Sequence, residues 1–319
     1  MKKVVIFGGG TGMSQIIKGL KLFPLDITAV VSVSDSGRST GALRKIYDIP
    51  ALGDISKVLI TMGNLDEEVV KLLNYRIKES NHENEYNHSL KNLILAALVD
   101  IYGSVDKALA KFCDLFSIEG KVLPITEENV NLIAKTTQGE IIVGEDEITE
   151  AKKTIKSIWY DKKFKVNPKV IRAICSADLI IFSPGSLFTS ILPHLMIPEV
   201  AKSISESNTK KMYIANLMTQ PGETTKMPVS SHVKTLNKYL KKSKIDVVVA
   251  NKRKISTQLC KKYETREQKQ QVTFDEGELT KLVNTVIADK LYIIENQFIR
   301  HDSLKTAYLI FSYLMDGNK

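Results

Sequence analysis

The chain has 319 residues, 43% hydrophobic and 25% charged, with 17 Gly and 9 Pro, which excludes collagen-like, low-complexity and wholly disordered chains and leaves room for a sizeable core. Its longest apolar run, Leu93 to Val99, is far short of the ~20 residues of a membrane-spanning helix, and Val4-Val5-Ile6-Phe7 is too short for a signal-peptide core. The net charge of +9 is uneven, with 16 basic and 21 acidic residues in 1–150 against 29 and 15 in 151–319, so the second half would attract phosphates, nucleic acid, an acidic partner or an anionic membrane surface.

Val4 to Phe7 is a continuous apolar run that ends in glycines, as a strand buried on both faces does. After Gly8-Gly9-Gly10-Thr11-Gly12, Ile16, Ile17 and Leu20 recur at helical spacing, which predicts a helix from Met13 or Ser14 that ends before Pro24. Ile27 to Val33 is the next strand, and the order strand–glycines–helix–strand makes a parallel βαβ unit. Residues 55–116 read as a helical section broken by a polar loop over 79–87. Val122 to Ile125 and Glu140 to Val143 are short strands, Gly144 to Glu150 an acidic loop, and 152–166 a basic irregular segment. A helix runs from Pro168 to Ala177. Leu179 to Phe182, Tyr213 to Ala215 and Asp246 to Ala250 are further buried strands. Residues 252–285 are mostly helical by composition, and Leu291 to Ile294 is the last strand before a C-terminal helix. The expected architecture is α/β and Rossmann-like, a mostly parallel sheet with helices on both faces and a helical insertion, in one domain over 1–319.

Four glycines within residues 8–12, between a strand end and a helix start, let backbone N–H groups approach an anion that the helix dipole also favours. The pattern is neither standard fingerprint: Met13 stands where a dinucleotide motif needs Gly or Ala, and no Gly-Lys-Ser/Thr completes a P-loop. Asp35, 23 residues beyond Gly12, stands at the second strand's end, where a carboxylate holds a ribose hydroxyl or a metal. Ser36-Gly37-Arg38-Ser39-Thr40-Gly41 resembles an anion nest, and Arg44 offers a bidentate fork for phosphate or carboxylate. Ser183-Pro184-Gly185-Ser186 and Asn216 follow other buried strands, so four small polar loops share one sheet edge and imply a wide anionic ligand. Cys113, Cys175 and Cys260 form no close pair, and no His-Glu-x-x-His makes a metal cage. A reduced, cytoplasmic protein is expected. Lys162-Lys163-Phe164-Lys165, Lys241-Lys242 and Lys252-Arg253-Lys254 carry little aromatic interleaving, so a solvated lysine-rich surface is favoured over nucleic-acid binding.

Together these blocks resemble the YvcK-type gluconeogenesis-factor family, a sister of the CofD-type 2-phospho-L-lactate transferases, over nearly the whole chain. Besides the glycine loop, the resemblance rests on Asp35 to Arg44, Gly53-Asp54-Ile55, His88-Ser89-Leu90 with Asn92-Leu93, and Ala177-Asp178 leading to Pro184 to Ser190. Asn216-Leu217-Met218-Thr219-Gln220-Pro221-Gly222-Glu223-Thr224 and Arg300-His301-Asp302 complete it. Ser36, Arg38, Ala42, Ser56-Lys57, Asn87, Lys91, Ser183 and Ser231 depart from the family pattern. The resemblance implies a CofD-like fold and binding of UDP-N-acetylglucosamine by a protein without established catalysis. It also implies a role in gluconeogenic growth, envelope-precursor supply and cell shape, exerted on a protein partner in amino-sugar or cell-wall metabolism.

The expected ligand-binding set is Gly9, Gly10, Thr11, Gly12, Met13, Asp35, Ser39, Thr40, Arg44, Asp54, Asn92, Pro184, Gly185, Ser186 and Asn216. In it, the glycine-loop amides hold the diphosphate, Asp35 and nearby hydroxyls position ribose or sugar, and Arg44 adds charge-assisted bonds. Asn92, Gly185, Ser186 and Asn216 close the far side. Residues 36–44 and the 79–87 loop are candidates for a mobile element. No cofactor is required and no catalytic residue is assigned. The alternative is a transferase in which Asp35 and Asp54 hold Mg²⁺ on a nucleoside-diphosphate-linked donor. Self-association and base preference are left open by the sequence.

Overall fold

A computed structural model describes residues 1–77 and 87–316; the expected 79–87 loop therefore lies, up to residue 86, outside the described residues. The first strand, β1 (Lys2–Gly8), is buried from Val4 onward. Helix α1 (Gly10–Leu20) starts straight after Gly9, three residues before Met13. With no Cβ at the junction, the chain turns into the helix at once, and Ile16, Ile17 and Leu20 still face the core. Strand β2 (Leu25–Val31) stops two residues before Val33, where the backbone diverges toward the cleft.

The helical section holds α2 (Arg38–Tyr47), α3 (Gly53–Met62), α4 (Glu67–Asn74), α5 (Leu90–Tyr102) and α6 (Val105–Phe116). Beyond β3 (Lys121–Pro124), a separate antiparallel sheet forms from β4 (Leu132–Thr136), β5 (Ile141–Val143) and, across α7 (Glu145–Ala151), β6 (Ile155–Tyr160). Two expectations are corrected here. Residues 144–150 are mostly helix, not loop: Ile148 is the helix's one buried residue, so no apolar periodicity marks it, while Glu145, Asp146 and Glu147 suit the positive end of its dipole. Residues 152–166 contain a strand, because Ile155 and Ile158 turn inward between lysines that mask the pattern.

The second half follows in the order α8 (Pro168–Ser176), β7 (Leu179–Phe182), a π-helical turn (Leu187–Ile191) running into α9 (Leu192–Leu195), α10 (Pro198–Glu206), β8 (Lys210–Ile214), α11 (Val229–Leu240) and β9 (Val247–Asn251). Then come α12 (Thr257–Glu267), α13 (Glu276–Leu279), β10 (Thr285–Asp289), the hairpin β11 (Tyr292–Glu295) and β12 (Phe298–His301), and α14 (Ser303–Met315). Residues 252–285 are thus only partly helical, and Leu291 to Ile294 opens a hairpin instead of ending the strands.

The main sheet has seven strands in the order β10-β9-β8-β7-β1-β2-β3, every neighbouring pair parallel. Every residue of β7 and β9 is buried, which requires cover on both faces. From β1 the chain winds outward through β2 and β3, then returns to the other side of β1 at β7 and winds away to β10. The switch point lies between β1 and β7, where Phe7 pairs with Phe182, so the loops after both strands rise side by side. Helix α14 covers α1 closely: a Cβ on Gly19 would sit 2.0 Å from the Ser303 carbonyl oxygen. No helix among the described residues is long and apolar enough to cross a membrane.

Candidate functional site

At the switch point the glycine loop is clamped between two neighbours. A Cβ on Gly12 would stand 1.8 Å from the Pro184 carbonyl oxygen, and one on Gly10 would stand 2.1 Å from Asp54 Oδ1 and 3.1 Å from the Asp54 Cα. The glycines therefore let β7's loop and the first turn of α3 close on the backbone of α1. Helix α1 opens with no side-chain cap and no acidic residue in its first turn, although the Gly10 amide donates to Asp54. Burial and the nearby Asp35 charge push Asp54 up to about 6 against that hydrogen bond.

The opposite rim is tied by side chains. The Gly185 N–H donates to Asn216 Oδ1 at 2.8 Å, and Asn216 Nδ2 donates back to the Gly185 oxygen at 2.6 Å. This reciprocal pair locks the loops after β7 and β8, and Gly185 has a φ of 153°, a conformation that favours glycine. Behind it runs a buried chain of hydrogen bonds. Ser186 Oγ donates to Glu223, which also accepts from the Phe188 N–H at 3.1 Å. Thr189 Oγ1 lies 2.6 Å from Ser186 Oγ and 2.9 Å from Glu145 Oε1. Burial pushes Glu223 up to about 7; burial and then Asp35 push Glu145 up to about 8.

Glu145 and Asp146, at the start of α7, face Asp35 so that one carboxylate oxygen from each lies within 4.8 Å of the others. Asp35 is itself braced by the Gly37 N–H at 2.8 Å. Ser36 fastens this acidic wall, accepting from the Asp146 N–H at 3.0 Å and donating to Glu147 at 2.7 Å. Two buried histidines steady the strand ends: His194 Nε2 lies 3.2 Å from the Gly8 oxygen and His301 Nε2 lies 3.1 Å from the Ala215 oxygen. Burial holds both near 4, well below the usual imidazole range, so they are neutral and donate from Nε2.

The cleft has two lobes that share Thr11, Gln15, Asp35, Asp54 and Arg300. The smaller, about 550 Å³, is walled by Gly9, Gly10, Gly12, Pro184, Gly185, Ser186 and Asn216, and the larger, about 960 Å³, by Ser39, Thr40 and Asn92. Thirteen of the fifteen expected residues thus meet at one cleft.

Two stand elsewhere. Met13 is fully buried in the core. Arg44, 4% exposed, is held by the protein itself: its guanidinium donates to Asn129 and Asn131 Oδ1 and to the backbone oxygens of Asp35 and Val130 at 2.6–3.1 Å. Arg44→Met should lower stability by about 3 kcal/mol in urea denaturation, because it leaves these buried acceptors without donors.

Sequence reasoning missed Glu145 and Asp146, whose acidic run read as a loop. It also left Glu223, Gln15, Lys57 and Arg300 without a role. Glu223 and Arg300 were visible inside quoted motifs, whereas Gln15 carries no local signal.

The fold and the cleft at its switch point define a doubly wound α/β protein of the Rossmann-like class. Residues 4–292 match the family described as 2-phospho-L-lactate transferase CofD. The chain is 39% identical to the gluconeogenesis factor of Bacillus subtilis, covering 98% of each protein. It is 35% identical to the gluconeogenesis factor of Halalkalibacterium halodurans, over 97% of this chain and 95% of that protein. The crystal structure of a UPF0052-family member from Bacillus halodurans superposes with a TM-score of 0.91 at 34% identity, over 97% of this chain and 99% of the other. The chain belongs to the CofD family.

Proposed function

We propose that the protein is a cytoplasmic regulatory factor that binds UDP-N-acetylglucosamine and supports gluconeogenic growth, envelope-precursor supply and cell shape. The observation that carries this reading is the N-terminus of α1, which has no cap from its own N-cap residue and opens into the cleft at the switch point, where backbone amides and the helix dipole suit a diphosphate. Asp35, Ser39, Thr40 and Asn92 offer hydrogen bonds to sugar hydroxyls. The names of the Bacillus subtilis and Halalkalibacterium halodurans relatives support the role in gluconeogenesis. Ligand binding would favour one conformation and shift a population that a protein partner in amino-sugar or cell-wall metabolism reads.

Calorimetric titration with UDP-N-acetylglucosamine, GDP and NAD, with and without Mg²⁺, tests the reading. Saturable UDP-sugar binding without consumption is expected, and Thr11→Val or Asp35→Ala should weaken it at least about tenfold. Unchanged affinity in both variants would overturn the site.

A second reading has one favouring observation, the convergence of Asp35, Glu145 and Asp146. Three carboxylates form a hard-oxygen donor set that fits Mg²⁺, and Asp35 with these two suits it better than Asp35 with Asp54, whose carboxylate the Gly10 amide holds. Bound there, the metal would neutralise charge on a diphosphate leaving group. Metal-dependent product formation in the same titration series would favour this transferase reading.

A further inference from the structure

The larger lobe carries charge that the diphosphate cradle leaves unused. Lys18 on α1, Lys21 just after it, Lys57 on α3, Arg76 just after α4, Lys91 on α5 and Arg300 on β12 all line it, and only Arg300 is shared with the glycine-loop lobe. Five elements or their ends thus deliver six cations to one concavity, against Asp35, Asp54 and Glu295. Among the described residues none of the six makes an ion pair, whereas twelve lysines elsewhere do.

Their hydrogen bonds go to neutral acceptors. Lys57 Nζ donates to Thr11 Oγ1 at 2.5 Å, Lys91 Nζ to Asn74 Oδ1 at 2.7 Å, and Arg76 Nη1 to the Asn87 oxygen at 2.8 Å. The crowding is felt chemically: burial, then the charges of Lys57 and Arg76, bring Lys91 down to about 8. Gathering like charges in a half-buried cleft disfavours the folded state unless an anion neutralises them.

A second, independent observation points the same way. Ser14 and Ser89, 5% and 2% exposed, both belong to the wall of this lobe, and neither hydroxyl has a hydrogen-bond partner among the described residues. Buried hydroxyls are almost always paired, so two unpaired ones beside six cations that make no ion pair among the described residues mark a place built for a polar anionic ligand.

We propose that the Lys57, Arg76 and Lys91 cluster of this lobe is a separate anion subsite that takes the phosphate of a phosphorylated sugar while the nucleotide sugar occupies the glycine-loop lobe and sets its own sugar against Ser39, Thr40 and Asn92. It rests on the proposed function for the identity of the first ligand only. Lys91, Arg76 and Lys57 hold the phosphate oxygens, and Asn74, Asn87 and Ser89, which also line the lobe, meet the hydroxyls of the sugar.

The test is calorimetric titration of the full chain with glucose 6-phosphate, pyrophosphate and glucose, alone and at saturating UDP-N-acetylglucosamine. Glucose 6-phosphate should bind the saturated protein, glucose should not, and the affinity should fall as salt is raised. Lys91→Gln combined with Arg76→Gln should weaken glucose 6-phosphate at least about tenfold, leave UDP-N-acetylglucosamine affinity within about threefold, and raise the melting temperature at low salt. Lys91→Gln alone gives the same result in smaller measure and serves if the double variant does not fold.

The proposal is overturned if glucose 6-phosphate and pyrophosphate bind no better than glucose, or if the lysine variants leave their affinity unchanged. It is equally overturned if saturating UDP-N-acetylglucosamine excludes glucose 6-phosphate, because the lobe then belongs to the nucleotide sugar. Failure of UDP-N-acetylglucosamine to bind, with lysine-dependent glucose 6-phosphate binding intact, defeats the proposed function and leaves the subsite standing.

Discussion

Replacing Gly12 with alanine should lower stability by about 3 kcal/mol and remove the binding proposed for UDP-N-acetylglucosamine. The added Cβ would come 1.8 Å from the Pro184 oxygen and 2.6 Å from the Pro184 carbonyl carbon. Both are backbone atoms, and the Asn216–Gly185 pair holds the next peptide in place. Nothing there can rotate away, so α1 and β7's loop must separate. Gly8→Ala provides the control, since its Cβ would meet the Ser183 Oγ at 2.0 Å, and a hydroxyl can swing aside. That variant should lose only about 1 kcal/mol. Urea denaturation of the two proteins checks the contrast, and equal stabilities would mean that the clamp is not rigid.

Glu223→Gln should change how stability depends on pH. In the unfolded chain Glu223 ionises near the usual glutamate value, about 4.3, whereas in the fold burial holds it up to about 7. Between those limits the folded protein keeps a proton that the unfolded chain has released, so this group's contribution is fully present below the unfolded value and is lost as pH rises through 7. Glutamine does not titrate. The stability of the variant relative to the parent should therefore rise by about 3 kcal/mol from pH 4 to pH 8. Chemical denaturation at the two pH values measures it, and a pH-independent difference would place the Glu223 charge elsewhere, in contact with water.

The parallel sheet was legible because its strands are buried on both faces and therefore appear as continuous apolar runs, as in Val4 to Phe7 and Leu179 to Phe182. The loops of the cleft were legible for a related reason: a backbone that must come within contact distance of another backbone leaves glycines in the sequence. Elements lying outside the main core were not. Strand β10 sits at the sheet edge, half-buried throughout, and β6 and α7 each present few apolar residues inward. Arg44 shows a different failure. A guanidinium beside hydroxyls and glycines has the same local sequence whether it holds a phosphate or the 129–131 segment, and only the tertiary position of Asn129 decides. Glu145 and Asp146 reach Asp35 across about 110 residues of chain, a juxtaposition with no local trace.

The acidic wall belongs to a different layer of the molecule from the floor it faces. Helix α7 hangs from the small antiparallel sheet and touches the cleft through Ser36 and Thr189. Charge opposite the glycine loop can consequently be retuned by exchanging one short segment, while the loop's amides, being main chain, stay the same.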